Sequence, residues 1–98
     1  MKDIHLDLNS PVFQRDLFTL NKEDAHSLFT TLKKISQMDW QSLYRDTGLK
    51  WEKIYSKKRN GENIYSFRIT KKIRARALRD GNYLRILSLH TDHDSAYQ

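Results

Sequence analysis

Nine residues near the end of the chain, Leu89-His90-Thr91-Asp92-His93-Asp94-Ser95-Ala96-Tyr97, gather two histidines, two carboxylates and a tyrosine. Histidine, with an unperturbed pKa of about 6.5, is the side chain suited to moving protons near neutrality, and a carboxylate beside it can fix its tautomer or raise that pKa. His90 and His93 are therefore candidates for a general acid and base. Tyr97 can stack on an unpaired nucleobase, or give up its phenolic proton if an arginine lowers its pKa. The competing reading of the same stretch is a frayed polar terminus. His90, Asp92, His93 and Asp94 are also possible metal ligands, but their spacing matches no standard zinc signature, so neither a metal nor any other cofactor is assigned. His5 and His26 stand alone and receive no role.

The second chemically competent set is cationic. Arginine is always charged and matches phosphate geometrically, and Arg68, Arg74 and Arg76 recur at alternate positions of strand-like segments. Around them lie Lys50, Lys53, Lys71, Lys72, Arg85 and the run Lys57-Lys58-Arg59. That run precedes Asn60-Gly61 and is expected to project from a hairpin tip, where it could track a nucleic-acid backbone or simply be solvated. Split along the chain, residues 1–48 carry six Lys/Arg against seven Asp/Glu (net −1), residues 49–90 twelve against three (net +9), and residues 91–98 none against two (net −2). A basic second half of this density points to a polyanionic partner: RNA, DNA or an acidic protein.

Two periodicities decide how these groups are held. Ile4-His5-Leu6-Asp7-Leu8 alternates as a short strand, and Asn9-Ser10-Pro11 starts a helix over about 11–19, with Ser10 as cap. Asn21 caps a second helix, about 22–37. Its Ala25, Leu28, Phe29, Leu32 and Ile35 fall at helical spacing, with Glu23 and Asp24 early and Lys33 and Lys34 late, as the helix dipole prefers. Asp39 caps a short third helix carrying Trp40, Leu43 and Tyr44 and ended by Gly48. From Trp51 the apolar residues alternate, punctuated by Asn60-Gly61 and Asp80-Gly81-Asn82, which predicts strands near 51–57, 63–69, 72–79 and 83–90. Tyr65, Phe67, Ile69, Ile73, Ala75 and Ala77 then share one face, while Ser66, Arg68, Arg74, Arg76 and Leu78 share the other. Leu84-Arg85-Ile86-Leu87 is apolar on both sides, as a central strand would be. The predicted fold is α+β, with the helices packed on the apolar face of an antiparallel sheet and an arginine-bearing face left open.

Ninety-eight residues bound the chain to one domain, 1–98, and four Phe, two Trp and five Tyr are too many for a disordered tail. There is no cysteine, which excludes a disulfide scaffold and thiolate metal sites. No apolar run reaches the roughly 18 residues of a membrane span and Met1-Lys2-Asp3-Ile4-His5 does not resemble a signal peptide, so the expectation is a soluble cytoplasmic protein without a membrane partner.

The layout of opening strand, helices and meander resembles the RelE/ParE superfamily of bacterial and archaeal toxins. The likeness is carried by Tyr65-Ser66-Phe67-Arg68-Ile69, Ile73-Arg74-Ala75-Arg76-Ala77, Asp80-Gly81-Asn82 and Leu84-Arg85-Ile86-Leu87-Ser88-Leu89-His90 before a polar tail. Arg74 matches the arginine typical of the third meander strand, residues 84–89 the hydrophobic last strand, and His90 with Tyr97 the tail histidine and tyrosine. The resemblance implies the toxin of a type II toxin–antitoxin pair, held inactive by an acidic, partly disordered antitoxin laid over Arg68, Arg74 and Arg76. It also implies a toxin–antitoxin complex that binds operator DNA through the antitoxin.

The RelE-like branch cleaves messenger RNA at the ribosome, the ParE-like branch poisons DNA gyrase, and a silent basic module that binds RNA or only its partner is a third reading. Metal-free RNA cleavage needs a base for the 2′-OH, an acid for the leaving 5′-oxygen and a cation for charge on the phosphoryl oxygens. The tail histidines favour this branch as an endoribonuclease (mRNA interferase). Arg74 then stabilises the phosphate and His90 or His93 moves protons, while Tyr97 stacks or assists. Arg68, Arg76, Arg85, Lys57, Lys58, Arg59, Lys71 and Lys72 position RNA. Some relatives use a strand glutamate as base, a role for which Glu52 is a candidate, the alternative being simple balance of Lys50 or Lys53.

Overall fold

Ser10 is the first residue whose side chain fixes more than its own neighbourhood. Its Oγ accepts the Phe13 N–H at the start of helix α1 (Pro11–Thr19), with Pro11 in the first turn where a missing N–H costs nothing. The structure, a computed structural model, describes residues 3–59 and 61–91, with the backbone alone for 55–59. Helix α2 (Lys22–Ser36) is capped by Asn21, whose Oδ1 accepts the Asp24 N–H, and buries Leu28, Leu32 and Ile35. Phe29, expected on the same stripe, is 54% exposed, because it lies one residue (about 100°) round from Leu28.

Helix α3 (Trp40–Arg45) starts at Asp39 as expected but ends at Asp46 rather than Gly48. There Asp46 turns the chain, its Oδ1 accepting the Leu49 N–H and its Oδ2 meeting Lys34 Nζ at 3.0 Å.

The strands are β1 (His5–Asp7), β2 (Glu52–Arg59), β3 (Glu62–Arg68), β4 (Ile73–Asp80) and β5 (Tyr83–Thr91), in the order β1-β5-β4-β3-β2. β2 to β5 form the expected antiparallel meander, while β1 adds in parallel to β5, pairing His5–Asp7 with Tyr83–Arg85. Gly81, at φ +61, makes the tight β4–β5 turn, a conformation that costs glycine nothing. Between β3 and β4 the Thr70 hydroxyl accepts the N–H groups of both Lys72 and Ile73. All three helices lie on one face of the sheet, where Phe67, Ala75, Ala77, Leu84 and Ile86 meet Phe13, Leu28, Leu32, Ile35, Trp40 and Leu43. Trp51 stacks on Tyr65 at 4.9 Å, and Arg79 lies 4.1 Å over the Trp40 ring while donating to the Tyr44 hydroxyl, which closes the core edge beside α3. Among the described residues no helix is long and apolar enough to cross a membrane.

β1 is too short to cover the whole of β5, and α1 completes that edge. Ser10 Oγ donates to the Leu87 carbonyl at 3.0 Å, and the Leu89 N–H donates to Asp16 Oδ2 at 3.0 Å. Asp16→Ala removes the acceptor of a part-buried amide and is expected to cost about 1–3 kcal/mol, with Asp16→Asn losing less. Urea unfolding, together with faster exchange of the Leu89 amide in the alanine variant, checks this.

β1 itself is tied to β5 through Asp7, whose carboxylate accepts from Arg85 Nε at 2.9 Å and from the Asn9 N–H. The Arg85 hydrogen bond, then that of Asn9, hold the Asp7 carboxyl below the usual carboxylate range. At Asp46 burial works the other way but is outweighed by Lys34 and the Leu49 N–H together, so that carboxyl is lowered too. Both groups bind protons less tightly folded than unfolded, so their stabilisation is complete above the unfolded pKa of about 3.9 and disappears as pH falls through the lowered folded values. The urea midpoint is therefore expected to fall on acidification below about pH 4, and Asp7→Asn to lower it at pH 7 while making the acid limb shallower.

Candidate functional site

Paired residues on neighbouring strands point to the same side of a sheet, so the strand register determines what the open face displays. One row across it is Glu52 (β2), Ser66 (β3), Arg76 (β4) and Ser88 (β5); the next is Arg68, Arg74 and His90. Alternation along β5 breaks between them. Arg76 pairs with Ser88 but Ala77 pairs with Ile86, so Leu87 is an extra, bulged residue. Leu84 and Ile86 consequently face the helices, whereas Ser88 and His90 face the arginines.

Arg74 is the centre of this patch. Its side chain is 19% exposed, and Nη2 donates to Ser66 Oγ at 3.0 Å and lies 3.6 Å from Glu52 Oε2. Glu52 is 66% exposed, so the ion pair is loose and the carboxylate can leave the guanidinium for a ligand. On the other flank His90 stands directly opposite Arg74, its Nε2 2.8 Å from Ser88 Oγ. A carboxylate thus contacts the guanidinium from β2, and an imidazole stands opposite Arg74 on β5, so groups able to exchange protons and a cation able to bind an anion share one surface.

The sequence-predicted residues divide accordingly. Arg68, Arg74, Arg76, His90 and Glu52 come together, and the exposed Lys71 and Lys72 sit in the β3–β4 turn at the same end of the sheet. Arg85 shares the open face but pairs opposite Leu78, beyond the bulge, and is bound to Asp7. The backbone puts Lys58 and Arg59 against Asn63 and Glu62 at the β2–β3 hairpin, about 20 Å along β3 from Arg68. The side chains of Lys57, Lys58 and Arg59 lie outside the described part of the structure, as do His93 and Tyr97 entirely.

The open face is not arginine throughout. Toward the hairpin tips it carries a small apolar cluster of Ile64, Leu78 and Leu87 with Ile54 against it. Leu87 joins it on the same side as Arg85, while Leu84 and Ile86 enter the core under the helices, so the 84–87 segment reads as apolar on both sides. The sequence places Ser66 on the arginine face without a role, and Ser88 reaches that face only through the bulge. A serine between two aromatic residues of a strand (Tyr65-Ser66-Phe67) was the available signal for the first; for the second there was none without the bulge.

No protein-family model matches the chain, and no curated protein matches it in sequence. Solved structures do match in shape. A chain in the crystal structure of the archaeal RelE-RelB complex from Pyrococcus horikoshii OT3 aligns with a TM-score of 0.66 at 11% identity, over 96% of this chain and 98% of that one. A copper-bound mutant toxin from Helicobacter pylori aligns with a TM-score of 0.51 at 16% identity, over 97% of this chain and 99% of that one. At these identities the likeness is one of architecture, and it is the architecture expected from the strand, helix and meander layout of the sequence: a short N-terminal strand and three helices on a five-stranded, mostly antiparallel sheet, the RelE-like fold.

Proposed function

We propose that the chain is the toxin of a type II toxin–antitoxin pair and acts as a metal-free endoribonuclease on messenger RNA at the ribosome. The observation that carries this reading is Arg74 on the open face, 3.6 Å from Glu52 and opposite His90 in the strand register. In-line attack of a 2′-OH puts the incoming and leaving oxygens on opposite sides of the phosphorus. A base and an acid on opposite flanks of a phosphate-binding cation suit that geometry. Glu52 takes the 2′-OH proton, Arg74 neutralises charge growing on the phosphoryl oxygens, and His90 protonates the departing 5′-oxygen. Arg68, Arg76, Lys71 and Lys72 supply phosphate contacts at the same end of the sheet, and Tyr97 supplies a stacking surface.

The fold match to a structure solved as a RelE-RelB complex supports a protein partner of the antitoxin kind. An acidic antitoxin segment over Arg68, Arg74 and Arg76 would block RNA by occupying the same cations.

A translation reaction on a defined message, mapped by primer extension, tests the reading. Wild type is expected to break the message at ribosome-occupied codons. Arg74→Ala, Glu52→Gln and His90→Ala should each lose about 10²–10⁴-fold in cleavage rate while unfolding at wild-type urea concentrations. Intact message with wild-type protein overturns the reading and directs attention to gyrase supercoiling.

The tail is tested in the same assay. Tyr97→Ala is expected to raise KM more than it lowers kcat, as loss of stacking should. His93→Ala should cleave close to wild type, since His90 already occupies the flank of Arg74; a loss there as large as that of His90→Ala would move the acid role to His93.

A further inference from the structure

Ser66 and Ser88 flank Arg76 in one row of the open face, one on β3 and one on β5. Each hydroxyl reaches into the next row and engages a different reactive group: Ser66 Oγ accepts from Arg74 Nη2 at 3.0 Å, and Ser88 Oγ lies 2.8 Å from His90 Nε2. Ser66 is buried although it belongs to the open face, and it is the buried polar residue among the described residues. We propose that Ser66 and Ser88 are a matched pair of positioning residues, Ser66 fixing the guanidinium of Arg74 and Ser88 fixing the tautomer and ring orientation of His90. The consequence for rate rests on the nuclease reading above; the positioning itself does not.

The physical case differs for the two residues. Arginine carries a long stem with many rotamers, and its loose contact to the exposed Glu52 is the one that RNA must break if the carboxylate is to reach a 2′-OH. Ser66 is the contact that remains, so the guanidinium stays aimed while Glu52 moves.

At His90, the serine hydroxyl can accept from Nε2–H of the imidazolium and go on accepting it once Nδ1 has given up its proton, so the neutral ring keeps its proton on Nε2. The ring can therefore gain or lose its proton without turning. Alanine, which lacks the hydroxyl, offers Nε2–H no such acceptor. The Leu87 bulge makes this possible by putting Ser88 and His90 on the arginine face together.

The test uses the full chain carrying Ser66→Ala, Ser88→Ala, and the hydroxyl-retaining Ser66→Thr and Ser88→Thr. In the ribosome cleavage assay each alanine variant should lose about tenfold or more in kcat with KM little changed, the scale on which lost supporting hydrogen bonds act at enzyme sites. The threonine variants should recover most of that loss. Ser66→Ala placed on Arg74→Lys should cost nothing further, because the group it aims has been replaced.

Independently of activity, ring ¹⁵N spectra should show a changed His90 tautomer balance in Ser88→Ala and an unchanged one in Ser66→Ala, while the Arg74 side-chain resonances respond in the opposite pattern. Alanine variants that cleave at the wild-type rate, with both sets of resonances unmoved, overturn the proposal. If wild type cleaves no message, the nuclease reading fails and the resonances alone decide the positioning: unmoved, they reject it; moved as stated, they uphold it.

Discussion

One extra residue in β5 determines what this sheet can present. Strict alternation through Leu84-Arg85-Ile86-Leu87-Ser88-Leu89-His90 would put Leu84, Ile86, Ser88 and His90 on a single face, and the core requires the first two. His90 would then be driven under the helices, where an imidazole needs partners that an apolar layer cannot provide. The bulge at Leu87 reverses the parity, so the same strand gives leucine and isoleucine to the core and serine and histidine to the arginine face. Ser10 links this bulge to the helical layer. Its hydroxyl caps α1 and also bonds the Leu87 carbonyl, so the helix start and the strand irregularity are held by one oxygen.

The open face works against the fold's stability and the covered face supports it. Arg68 and Arg74 are directly opposed across β3 and β4, a like-charge pair that a purely structural sheet avoids. Ser66 and Glu52 partly compensate, and the rest of the opposition is borne by the layer beneath, where Phe67, Leu84 and Ile86 are fully buried. Ala75 and Ala77 in the central β4 are small enough to let the helices approach that layer closely. Local rules broken on one side of a sheet that is well packed on the other are what a binding or reactive surface looks like.

Much of this was legible in one dimension. The caps Ser10, Asn21 and Asp39, the periodic Leu28, Leu32 and Ile35, and the turn at Gly81 each act over a few residues, so local chemistry alone places three helices and the meander. Alternation also put Arg68, Arg74 and Arg76 on one face correctly, because β3 and β4 pair without irregularity there. Phe29 and the end of α3 depart from their local patterns for opposite reasons: the first through the angular position of one residue on a helix, the second through the long-range pull of Lys34 on Asp46.

The sequence by itself determined the α+β class, the charge asymmetry and the identity of the cationic face, because each follows from residue type and short-range period. Tertiary structure alone decided that β1 joins β5 in parallel, that Asp7 binds Arg85, that Glu52 meets Arg74 and that His90 stands opposite it in the register. These depend on which strands lie side by side and on a single inserted residue. Neither a pairing between residues 16 to 78 positions apart nor a one-residue slip in register leaves a local signature in the chain.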